Sequence, residues 1–279
     1  MDLTVFQHAY MQHALLAGVF AGILCGIAGV FVVTMHLSFL GVCIAHAAFA
    51  GAMLSLCLEA DPLLGAVVFS LGASAVVGPL ADRGELSPDS SIGIVFSLML
   101  ALAFLFMGLI PGSRSAALNL MWGNILSVGR LDLLFLFLTA ALLVGVLALF
   151  FKEVQAVVCH RNVALAVGIP ATAVFYGTLF ATGLTVAVTL SAVGGLLIYC
   201  LLIIPASAAF QLTYSLKRMF VLSCAFGVLS CWIGLGASYL WDLQAGATIV
   251  IAACGVFAVA ALLSPKRKGG KWKPVPSGK

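Results

Sequence analysis

The chain has 279 residues, 63% of them hydrophobic and 8% charged, with a mean hydropathy of +1.23 and a formal net charge of +4. An average soluble domain is about a quarter charged, so a soluble fold is excluded. The basic residues form no basic–aromatic pattern of the kind that binds nucleic acid, so no nucleic-acid partner is expected.

The predicted elements are helices, because a segment crossing hydrocarbon must satisfy its own backbone hydrogen bonds. A membrane barrel would need short alternating segments, and these runs are long and continuously apolar. The opening MDLTVFQHAY lacks a positive n-region, so the first run is expected to be a span and not a secretory signal. Nine segments follow in order: 11–35, 39–58, 62–81, 91–111, 131–151, 171–189, 192–212, 219–240 and 244–263. The breaks are EADP (59–62), ADRGELSPDS (81–90), PGSRS (111–115) and SLKR (215–218). Only TLSAVGG separates the sixth and seventh segments, which are two spans or one broken helix. The expectation is an all-α polytopic transmembrane bundle of eight or nine spans over 1–263, followed by a basic cytoplasmic tail at 264–279. Residues 112–130 read as an interfacial or re-entrant helix, kinked at Gly123 and Asn124, or as a simple surface helix. Residues 152–170 read as a loop with a short helix from Asn162 to Val167, ended by Gly168 and Pro170. That loop is either a docking element for a cytoplasmic partner or an ordinary connection.

Lysines and arginines set the orientation. With nine spans and a cytoplasmic C-terminus, 11 of the 13 lie inside, and only Arg114 and Arg130 fall outside. The tail KRKGGKWKPVPSGK anchors this orientation, and it can also touch anionic lipid.

All nine acids lie at segment ends or in loops. That argues against a proton-driven carrier, which relays protons through buried ionisable groups. There is no HExxH motif and no GxxxxGK[ST] phosphate loop, so the chain is not expected to be an enzyme or to hydrolyse ATP. Seven of the eight cysteines lie in apolar segments without CxxC spacing, and they read as small hydrophobes.

Apart from thiols, His46 is the one ionisable side chain well inside a span. It is either a functional group or a neutral imidazole bonded to a neighbouring carbonyl or hydroxyl. Cys43 lies about 60° round the same helix and roughly 4.5 Å along it, so the two can share a face. Imidazole and thiolate both suit zinc and similar metals, although Cys43 alone also reads as packing. Gly41, Ala45, Ala48 and Ala52 recur at three- and four-residue steps, a pattern that allows close helix contact.

Several motifs then line up in order. SFLGVCIAHAAFAGA (38–52), with Gly41, His46 and Gly51, resembles the second-span motif of the zinc/manganese-type permeases of ATP-binding-cassette importers. DSSIGIVFSL (89–98), WGNILSV (122–128), NVALAVGI (162–169) and SAVGGLLIYCLLIIPASAA (191–209) are similar to later motifs of that family. The likeness covers about residues 10–263.

The resemblance implies a homodimer in a prokaryotic inner membrane, two copies of a separate ATPase and an extracytoplasmic metal-binding protein. It implies a coupling loop at Arg161, Asn162, Ala164 and Gly168, helix packing at Gly41, Gly51 and Pro205, and a metal pathway at His46 and Cys43. No permanently bound cofactor is implied, only a transported divalent metal. The family's aspartate four residues before the histidine is Val42 here, and its coupling-loop acid is Asn162. Without the carboxylate the expected preference is zinc, then manganese or iron. The alternatives are a permease for a metal chelate or cofactor, and a membrane binding subunit that does not transport.

Overall fold

The apolar runs close their backbone hydrogen bonds as α-helices, as hydrocarbon demands. The computed structural model describes residues 9–37, 39–83, 88–110, 120, 123 and 125–268, without the side chains of 81–83, 88, 162, 196, 267 and 268. The elements are α1 (Ala9–Thr34), α2 (Leu40–Cys57), α3 (Pro62–Arg83), α4 (Pro88–Leu109), a 3-10 turn at Ile125–Ser127, α5 (Arg130–Leu149), α6 (Phe151–Ala166), α7 (Ala171–Val193), α8 (Gly195–Leu212), α9 (Leu216–Trp241), α10 (Ala245–Leu262) and α11 (Pro265–Lys268). Among the described residues eight helices are long and apolar enough to cross a membrane: α1 to α5, α7, α9 and α10. The shorter α8 is apolar over Leu197–Leu212. The fold is all-helical, with eight candidate spans and one short helix where nine segments were read.

Helix α1 is the core. Every residue from Leu24 to Val32 is buried, as expected of a helix that is apolar all round. It crosses α9 at backbone distance, with Gly22 facing Gly227 and Val228, and Gly26 facing Cys224. The Ser223 hydroxyl donates to the Gly26 carbonyl at 2.8 Å across the same contact. Helix α2 packs on α3, α4 and α7, while α8 packs on α1, α9 and α10. Gly51 of α2 meets Gly65 of α3, where a Cβ on either would run into the other's carbonyl. Pro205 is buried inside α8.

The break at TLSAVGG is a single residue, Gly194, between α7 and α8. Its φ of 91° and ψ of 155° are a conformation that only glycine adopts readily. Gly123, at φ 73°, packs against the Val193 carbonyl and Gly194. Most of the helix expected over 112–130 lies outside the described residues. The described part is the 3-10 turn, which packs on α1, α7 and α10 with Ile125 buried.

Residues 152–170 are mostly helix, not loop. Helix α6 starts at Phe151 and kinks at His160, where φ is −153° and ψ 83°. The short helix expected from Asn162 is its second arm. That arm ends in two tight bonds: Ile169 N–H donates to the Ala164 carbonyl at 2.9 Å and Gly168 N–H to the Leu165 carbonyl at 3.1 Å. Gly168 has φ 88°, the left-handed residue that such an ending needs.

The start of the tail is tied to α8. The Ser264 hydroxyl donates to the Gln211 carbonyl at 2.9 Å. Lys266 donates to the Phe210 carbonyl and lies over the rings of Phe210 and Tyr214.

Candidate functional site

Helix α2 carries His46 in its second turn. The ring Nδ1 lies 2.9 Å from the Val42 carbonyl oxygen. A carbonyl only accepts, so Nδ1 carries the proton and donates it. In the neutral ring Nε2 then keeps its lone pair, the tautomer a metal ligand needs. The hydrogen bond also fixes the ring's orientation, as outer-shell partners of ligating histidines do.

The half-buried imidazole stands edge-to-face on Phe96 of α4, with centroids 5.0 Å apart and planes at 85°. Phe96 meets Phe39, just before α2, at 5.2 Å. Such aromatic pairs are worth about 0.5–1.5 kcal/mol beyond their buried area. Gly41 lets α8 approach here, with the Leu202 side chain 2.8 Å from where a Cβ would sit. Cys43 is wholly buried, whereas His46 is not, so the two side chains have different surroundings although they share a helix. Among the described residues no group of three or more His, Cys, Asp or Glu side chains is gathered as a metal cage. One imidazole offers a dication a single ligand.

A second feature lies at the end where α1 stops and α2 and α4 begin. An open cavity of about 440 Å³ is lined by His36, Phe39, Asp89 and Tyr199. Sequence reasoning passed over all four. The signal was there for two of them, since an imidazole and a carboxylate flank the same end of neighbouring spans.

In α6, the Arg161 guanidinium lies 5.0 Å from the Phe175 ring centroid and clamps the second arm on α7. Ala164 is buried with Val157 and Ala171. Cys159, His160, Val163 and Val167 line a groove of about 300 Å³ along this helix. The side chain of Asn162 lies outside the described residues. A separate apolar cavity of about 460 Å³ has Phe31, Leu143, Phe150 and Val174 in its wall, with Glu153 at its edge. One Glu153 carboxylate oxygen is buried there without a hydrogen-bond partner.

The profile of the ABC 3 transport family matches residues 7–264, nearly the whole chain. The chain belongs to the ABC 3 transport family. It is therefore the membrane subunit of an ATP-binding-cassette transporter and not its ATPase. It is 31% identical over 263 residues to the manganese transport system membrane protein MntC of Listeria monocytogenes, covering 94% of each chain. It is 29% identical over 255 residues to the chelated iron transport system membrane protein YfeD of Yersinia pestis, covering 91% of this chain and 86% of the relative. Among solved structures it resembles PsaBC from Streptococcus pneumoniae in complex with Fab, with a TM-score of 0.85, 29% identity and 95% of each chain covered. Eight candidate spans and these relatives make it a multi-pass protein of the cell membrane.

Proposed function

We propose that this chain is the permease of an importer for a divalent transition metal, with manganese first, iron second and zinc third. The observation that carries the reading is His46, half-buried, with its Nδ1–H engaged by the Val42 carbonyl and its Nε2 left as a ligand. The order of metals follows from two supports. The relatives described above carry names that refer to manganese and to chelated iron. Cys43 is wholly buried, which takes away the soft donor that would favour zinc.

In this reading two copies of the chain bring two His46 rings to a shared path. An extracytoplasmic protein delivers the metal. Two copies of an ATPase dock on α6 around Arg161, Asn162, Ala164 and Gly168, and their closure tilts the permease between outward- and inward-facing states. The C-terminus is cytoplasmic, as the positive charges favour. A ferric chelate is the second reading, supported by the name of the Yersinia pestis relative.

The test is uptake of radioactive manganese, iron, zinc and a ferric chelate in cells lacking their own importers, with this chain and its ATPase expressed together. Manganese entry that requires both subunits supports the proposal. Entry of the chelate alone moves it to the second reading. No entry of any of the four, with the complex assembled, refutes it.

A further inference from the structure

The carboxylate absent at Val42 has a counterpart in the second cavity. Its wall takes His36 from the turn after α1, Phe39 from the start of α2, Asp89 from the first turn of α4 and Tyr199 from α8. Phe39 belongs to this wall and also to the ring chain from His46, through Phe96 at 5.0 and 5.2 Å. The Phe96 and Phe39 rings thus link His46 to the cavity wall.

The two polar groups suit a cation. His36 holds a φ of 56° as the residue that ends α1: its N–H donates to the Val33 carbonyl and the Leu37 N–H to the Val32 carbonyl. Its side chain is exposed. Asp89 is also exposed and sits in the first turn of α4, where the positive end of the helix favours the anion. The imidazole, carboxylate and phenol in this wall are nitrogen and oxygen donors, suited to manganese or iron more than to soft metals. With about 440 Å³, the space admits a dication with its water shell, at roughly 30 Å³ per water.

We propose that His36 and Asp89 form a second divalent-cation site beyond the Phe39–Phe96 pair, and that Asp89 supplies there the carboxylate that position 42 lacks. The inference rests on the metal-permease reading. Two weak sites in succession satisfy a general demand of conduction: binding must be favourable enough to enter and weak enough to leave.

The experiment is manganese titration of the tag-free permease–ATPase complex in nanodiscs, following loss of the free Mn²⁺ electron paramagnetic resonance signal. The variants are Asp89→Asn, Asp89→Glu and His36→Gln. The expected result is a class of sites in wild type that Asp89→Asn and His36→Gln each weaken about tenfold or more. Asp89→Glu restores it. His36→Gln leaves the start of α4 unaltered, so parallel loss in both variants separates binding from any damage to that helix. Superimposable titrations of wild type and Asp89→Asn overturn the site, including the case in which neither binds. If cells still take up manganese through the wild type, the second site alone falls. If no dication enters and none binds, the metal-permease reading falls with it.

Discussion

Replacing Gly22 by alanine puts a methyl group where α9 already is. The new Cβ would lie 2.7 Å from the Val228 nitrogen and 2.8 Å from the Gly227 carbonyl carbon. Non-bonded heavy atoms settle at about 3.5–4.0 Å, so α1 and α9 must part by roughly 0.7 Å or more at that point. The obstacle is backbone, which cannot rotate aside as a side chain does. Overpacking of this kind costs about 1–3 kcal/mol. The gain in helix propensity from glycine to alanine returns at most about 1 kcal/mol. The net expectation is a loss of up to about 2 kcal/mol. Gly72→Ala in α3 is the control, because nothing lies within 4 Å of its added Cβ, and propensity alone predicts a gain of up to about 1 kcal/mol. One kcal/mol moves a melting temperature by about 2–4 °C in domains of 150–250 residues, so the two variants should part in opposite directions by several degrees. With the exposed Cys159 and Cys254 replaced by serine, a thiol-reactive fluorophore reads the transition, since Cys25, Cys43 and Cys231 are buried until the bundle opens. If Gly22→Ala melts at or above wild type, the tight α1–α9 crossing is wrong.

Two further expectations concern the site and the coupling helix. Cys43→Ala should leave the apparent KM for metal uptake within about twofold of wild type, because a wholly buried thiol is packing; a tenfold rise would place the sulfur in the path. Gly168→Ala meets no atom within 4 Å but must hold φ 88°, a left-handed strain of about 1–2 kcal/mol. It should lower the ATPase rate of the assembled complex without preventing assembly, and an unchanged rate would remove the ending of α6 from the coupling mechanism.

The hydrophobic runs were legible because each span is long and apolar, and hydropathy measures little else. His46 stood out for the same reason, as a polar side chain among Gly41, Ala45 and Ala48, although the sequence left a functional group and an imidazole bonded to a carbonyl equally open. Helix α6 was cut short because Lys152, Glu153 and Arg161 lower its hydropathy, although all three residue types favour helix. The α1–α9 crossing rests on Gly18, Gly22 and Gly26 meeting residues about 200 positions away, and no local pattern names that partner. The ring chain from His46 through Phe96 to Phe39 was hidden for a similar reason. Phenylalanine in an apolar run carries no signal of its own, and only the packing of α4 on α2 turns these residues into a wall. The cavity at His36 and Asp89 joins two loop-end residues 53 positions apart, so reading each break separately could not connect them.

The central claim is that His46 meets the transported metal. Its most direct test is the initial rate of radioactive manganese uptake for wild type and His46→Ala, at equal membrane expression and with ATPase binding verified. The account predicts that the alanine variant loses at least tenfold in rate while the complex remains assembled. Uptake by His46→Ala at the wild-type rate would make the imidazole a packing residue and contradict the account.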